Sequence, residues 1–158
     1  MSAIIDNIHW DYGPDDKIDY FDLEKSYYLT KYRPINSVDG LDFDPTPFRE
    51  DAIRKQSTGK YSGTIYGTRK YKEFWDERKR RCIEGFEVNG YRVTGDNYFF
   101  LNFYNLKTSE VDTINQSYGF PAFLVFQYEY FHYVEMCSLL GKDVSILKSR
   151  GIESCPTL

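Results

Sequence analysis

A chain of 158 residues holds one domain with a real core and is short for two. A hydrophobic share of 41% beside 28% charged residues excludes a disordered tail, and a net charge of −4 excludes a protein that coats nucleic acid over its whole surface. Three cysteines (Cys82, Cys137, Cys155) without a CxxC exclude a disulfide framework and fit a reducing cytosol.

The N-terminus lacks a basic segment followed by an apolar run, so it does not read as a secretory signal. No stretch approaches the roughly 18 apolar residues of a membrane helix, and the expectation is a soluble intracellular protein. Charge is uneven: residues 1–60 carry −4, residues 61–107 carry +3 and residues 108–158 carry −3, which places any phosphate contact in the middle. Aromatics make up 18% of the chain, fitting either an aromatic core or a surface on which bases stack.

In chain order, residues 1–67 read as an irregular lead in which only 18–32 has a helical rhythm. Prolines at 34, 45 and 47 break the next stretch into turns. Gln56–Gly67 reads as a glycine-rich loop. Residues 68–119 form a second region. Its helix spans 68–86, with Thr68 as N-cap and Tyr71, Phe74, Trp75, Arg78, Cys82 and Ile83 on one face. Asn89-Gly90 then signals a type I′ hairpin turn joining Phe86–Val88 to Tyr91–Val93. A second turn, Thr94–Asn97, precedes a third strand or short helix at Tyr98–Tyr104.

Residues 120–158 form the last region. A helix is expected from Pro121 to Leu140, with Phe123, Phe126, Gln127, Tyr130, Val134, Cys137 and Leu140 on one face and Gly141 ending it. Val144–Leu147 reads as a short buried strand running into Lys148-Ser149-Arg150-Gly151. Helix, strand and glycine-containing loop are the entry to a mononucleotide-binding fold. The expected fold class is therefore α+β: irregular lead, helix, antiparallel hairpin, then the helix and first strand of a truncated P-loop α/β ATPase domain.

Few side chains carry chemistry of their own. After Arg150-Gly151 the chain reads Glu153-Ser154-Cys155-Pro156, without the Gly-Lys-Ser/Thr that would hold β- and γ-phosphates and magnesium, so by motif alone a plain post-strand turn is the favoured reading. Gln127 could pair with adenine through its carboxamide, although a glutamine on a helix commonly sits at a core boundary. Arg78, Lys79, Arg80 and Arg81 could meet DNA phosphates, but acidic residues one turn earlier favour a salt-bridged face. His9 and His132 stand in no metal-ligand spacing, and no catalytic residue is assigned.

Two stretches together resemble a known family. WDERKRRCIEGFEVNGYRVTGDNYFFLNFYNL and FPAFLVFQYEYFHYVEMCSLLGKDVSILKSRG are similar to the start of terminase large subunits of tailed bacteriophages. A basic helix containing tryptophan leads there to a hairpin of the form G-x-x-I/V-T-G-D-x-Y-x-x-L-N. Here those positions are Gly90, Val93, Thr94, Gly95, Asp96, Tyr98, Leu101 and Asn102, followed by Phe120, Pro121 and Phe123. The resemblance covers roughly residues 65–152.

It implies a DNA-packaging ATPase and nuclease of virion assembly, acting in the bacterial host cytoplasm. The implied ligands are ATP and magnesium, with portal protein, small terminase subunit and double-stranded DNA as partners and no membrane. Gln127 takes the place of the adenine-motif glutamine, and Ser149, Arg150 and Gly151 that of the early phosphate loop. The match ends at Ile152, before the catalytic residues, so this chain alone is expected to bind no nucleotide. A frameshift or premature stop, an intron or intein boundary, or a cloned fragment would each produce such an ending. The alternative is a non-catalytic module of phage origin that binds DNA or another protein.

Overall fold

The computed structural model describes residues 20–35, 43–108 and 117–146. Among them are helices α1 (Tyr20–Thr30), α2 (Glu50–Thr58), α3 (Arg69–Glu84), α4 (Gly95–Phe103) and α5 (Val125–Leu139). Two separate antiparallel pairs complete the α+β fold: β1 (Phe86–Val88) with β2 (Tyr91–Val93), and β3 (Leu106–Thr108) with β4 (Ser117–Gly119).

The hairpin forms where its turn chemistry requires. Asn89 (φ 54°) and Gly90 (φ 74°) both hold the left-handed conformation of a type I′ turn, setting Phe86 opposite Val93 and Val88 opposite Tyr91. Thr68 caps α3 as expected, its hydroxyl accepting the Tyr71 amide at 3.3 Å. Thr94 does the same for α4, accepting the Asn97 amide at 3.3 Å.

That second cap decides between the two forms expected for Tyr98–Tyr104. The segment is helical from Gly95 to Phe103, because Thr94 satisfies an orphan amide and Asp96 favours the positive end of the helix. Gly95 is obligatory for packing: a Cβ there would lie 2.2 Å from the Cys82 carbonyl oxygen. The start of α4 thus presses directly on the last turns of α3.

Four other expectations need correction. The loop expected over Gln56–Gly67 begins later, since α2 continues through Thr58 and ends at Gly59 (φ 73°). The last helix begins at Val125 rather than Pro121, because Leu124 remains extended at its N-cap. Its buried face is Gln127, Tyr128, Phe131, His132, Met136 and Cys137, while Phe126 is 41% exposed. Gly141 (φ 64°) follows it in the left-handed conformation, as its C′ role requires.

The fourth concerns the expected first strand of an ATPase sheet. Val144, Ser145 and Ile146 lie in irregular backbone, and Leu147 falls outside the described residues. Val144 packs on the cluster of Tyr27, Met136 and Cys137, and no strand among the described residues lies alongside to pair with it.

The core is shared across the chain. Ile35 and Phe48 pack with Val93, Tyr98, Phe100 and Leu101 from the middle and with Tyr128 and Phe131 from α5. Much of the tyrosine and phenylalanine content is used here, with rings meeting edge to face: Phe48 lies 5.4 Å from Phe123 and Phe86 5.2 Å from Tyr98. Among the described residues, no helix is long and apolar enough to cross a membrane.

Candidate functional site

The polar residues of the hairpin-and-helix motif converge on the start of α2. Asp51 is fully buried there, which requires charged or hydrogen-bonding partners around it. Arg78 supplies Nη2 at 3.1 Å and Arg54 supplies Nη1 at 3.2 Å, both to Oδ1. The Tyr98 hydroxyl donates to Oδ2. Burial and this carboxylate together push the Tyr98 phenol well above its usual range.

Asn102 completes the arrangement. Its Oδ1 accepts the amides of Asp51 and Ala52, both at 3.1 Å, and its Nδ2 donates to the carbonyls of Phe48 (2.8 Å) and Tyr98 (3.0 Å). All its hydrogen-bonding capacity is spent inside the fold. Arg49, the N-cap residue of α2, provides no side-chain cap, so Asn102 performs that role from another helix. This cluster holds elements together and leaves no reactive group facing solvent.

A second cluster joins α1, β2 and α5. His132 is fully buried, with Nδ1 2.9 Å from the Tyr27 hydroxyl and Nε2 3.0 Å from the Arg92 carbonyl. A carbonyl oxygen only accepts, so Nε2 carries the proton and Nδ1 is the acceptor. The same Tyr27 hydroxyl lies 2.5 Å from Glu135 Oε2, and Arg92 Nη2 donates to Glu135 Oε1 at 2.7 Å. One hydroxyl proton therefore faces two acceptors. Burial depresses the His132 imidazole to about 4, while hydrogen bonds from Arg92 and Tyr27 outweigh burial and hold the Glu135 carboxyl below its usual range.

The basic run Arg78–Arg81, the candidate for DNA contact, is internally matched. Arg78 is 11% exposed at its side chain and stacks over Phe74 at 3.8 Å while paired to Asp51. Lys79 lies 3.8 Å from Asp76. Arg80 pairs with Glu77 and Glu84, and Arg81 with Glu77 while covering the Phe86 ring at 4.7 Å. The salt-bridged face anticipated from the preceding acidic residues is present. Gln127 is buried near the start of α5. Ser149, Arg150 and Gly151 lie outside the described residues.

The first half of α3 is different. Tyr66, Tyr71, Lys72, Trp75, Asp76 and Lys79 line a solvent-open groove of about 470 Å³. Tyr66 is 83% exposed, with its ring 5.2 Å from Tyr71, and Tyr71 lies 6.2 Å from Trp75. Arg69 pairs with Glu73, whereas Lys70 and Lys72 have no carboxylate partner among the described residues. The sequence places Tyr71 and Trp75 on one helix face with Phe74, Arg78, Cys82 and Ile83, and that periodicity does not single them out as lining an open groove. The available signal was the first turn itself: two basic residues and no acidic one, against the preference of the helix dipole.

The chain was compared with protein-family models, curated proteins and solved structures. Nothing matches in any of the three.

Proposed function

We propose that this chain is the N-terminal region of a phage-type terminase large subunit, a scaffold preceding the ATP site of a DNA-packaging motor. One observation supports the reading. Each residue of the G-x-x-V-T-G-D-x-Y-x-x-L-N motif has a definable task in one continuous unit. Gly90 makes the turn, Val93 and Leu101 are buried, Thr94 caps α4, Gly95 permits its close approach to α3, and Asp96 stands in the first turn of α4 at the positive end of its dipole. Tyr98 and Asn102 hold the start of α2. A pattern with so many separate physical requirements is poorly explained by composition alone.

In this reading Gln127 is assigned to adenine, Ser149, Arg150 and Gly151 to the early phosphate loop, and ATP and magnesium to the intact motor. Portal protein, small terminase subunit and duplex DNA are its partners, in the bacterial host cytoplasm. The test is the source DNA beyond the codon for Leu158. The reading expects an encoded Gly-Lys-Ser/Thr loop followed by an acidic apolar strand, in frame or nearby. A titration of the purified chain with fluorescent ATP is expected to show no saturable binding below about millimolar, the range of weak, incompletely contacted ligands.

A non-catalytic interaction module is the second reading, favoured by the open aromatic groove beside α3. Absence of the downstream loop and strand, with a stably folded 158-residue chain, would select it.

A further inference from the structure

We propose that the groove on the first half of α3 binds single-stranded nucleic acid, taking unpaired bases on its tyrosines and backbone phosphates on Lys72. The proposal rests on the groove alone and is independent of the terminase reading.

Three features of the groove converge on this ligand. The first is its aromatic row. Tyr66, Tyr71 and Trp75 follow one another with successive rings turned by 67° and 64°, and the outermost, Tyr66, is 83% exposed. A ring placed for packing would be covered; this one presents its surface to water beside Ile65, itself 77% exposed. Bases stack on such rings irrespective of sequence, since every base has a π-face.

The second is charge. Along α3, every basic residue from Arg78 onward has a carboxylate partner, and Arg69 has Glu73. Lys70 and Lys72 have none among the described residues, and the first turn of the helix contains no acidic side chain. The uncompensated positive charge therefore sits at the aromatic end of the helix, where the aligned peptide dipoles add to it. Asp76, the acidic residue of the groove, is turned toward Lys79 at 3.8 Å, leaving Lys72 for phosphates.

The third is room. Gly63 and Gly67, in the loop leading to the groove, have no atom within 4 Å of where a Cβ would stand, so a strand can pass alongside. An acidic peptide would meet the lysines but leave the tyrosines unused. A duplex would offer phosphates but keep its base faces stacked inside. Unpaired nucleotides satisfy both halves of the surface.

Fluorescence anisotropy of the full chain with a labelled oligothymidylate of about 12 nucleotides tests this. Parallel titrations use an abasic strand and a duplex of the same length. Saturable binding of the oligothymidylate is expected at low salt, about tenfold tighter than to either control. Tyr66→Ala should weaken it by about tenfold, and Lys72→Ala should flatten the slope of log affinity against log salt by about 0.7. Both side chains are exposed, and an unchanged circular-dichroism melt establishes that each variant is folded. No binding, equal binding of the abasic strand, or a Tyr66→Ala variant that binds like the parent overturns the proposal. Binding of a hexaglutamate peptide without binding of the oligothymidylate overturns it in favour of an acidic protein partner.

Discussion

Asn102 caps a helix to which it does not belong: from α4, its Oδ1 accepts the Asp51 amide at the start of α2 at 3.1 Å. With the Ala52 amide and the Phe48 carbonyl, it fixes α2 and the turn before it to α4. Asn102→Ala leaves four buried backbone groups without that partner. It is expected to lower stability by about 3 kcal/mol, since caps contribute about 1 kcal/mol and each stranded buried group adds to the loss. Urea denaturation measures this, and a loss below about 0.5 kcal/mol would show that α2 is held by other means.

Gly95→Ala should be more damaging than its small volume suggests. The added methyl would meet the Cys82 carbonyl at 2.2 Å, so α3 and α4 must separate. Overpacking of this kind costs about 3 kcal/mol. Gly59→Ala is the comparison: its surroundings are open, and only its left-handed backbone (φ 73°) is strained, a cost of about 1 kcal/mol. Thermal melts of the two variants should rank in that order; the reverse ranking would contradict the close approach of the helices.

The four basic residues from Arg78 to Arg81 should separate in their effect on stability. Arg78→Ala removes one of the two guanidinium partners of the fully buried Asp51, leaving Arg54 and Tyr98, and is expected to cost about 3 kcal/mol. Arg80→Ala removes an exposed, solvent-screened pair of contacts to Glu77 and Glu84 and should cost far less than Arg78→Ala. Equal losses in chemical denaturation would mean that Asp51 is not the centre of the network.

Acid should destabilise the fold through His132. In the unfolded chain its imidazole takes up a proton near the ordinary value of 6.5, but in the folded protein only near 4. The unfolded state thus binds more protons in that interval, and stability present above pH 6.5 is lost as pH falls toward 4. The loss from this residue is on the order of 3 kcal/mol. Glu135, held below the usual carboxyl range by Arg92 and Tyr27, acts in the same direction at the acid end. Urea midpoints measured across this range should fall with pH, and His132→Gln should flatten the profile. An unchanged slope in that variant would assign the acid sensitivity elsewhere.

The sequence made the hairpin and its neighbouring helix legible because their signals are local. Asn89-Gly90 can satisfy a type I′ turn without help from distant residues, and Thr68 caps its helix three residues away. The face of α5 was misread for the opposite reason: aromatic residues occur all round the helix, so periodicity does not single out Tyr128 and His132 as the buried side. Helix α2 was missed because its cap stands at position 102, far beyond any local window. At the groove, the same tyrosines that suit a core also suit a surface, and only exposure distinguishes them. The expected strand at Val144 rested on an apolar run, which specifies burial but supplies no pairing partner.

The span between Asn102 and Asp51 also has a consequence for synthesis on the ribosome. The segment of α2 leaves the exit tunnel about 50 residues before the side chain that caps it, a delay of several seconds at ordinary elongation rates. Tyr27 waits longer, since its partner His132 lies 105 positions further on. The early part of the chain therefore emerges with its buried polar contacts unmade, and its aromatic residues are available meanwhile to chaperones. Synonymous codons that slow translation between residues 58 and 102 would prolong that exposure, and the Tyr27 cluster closes only once His132 and Glu135 have left the tunnel.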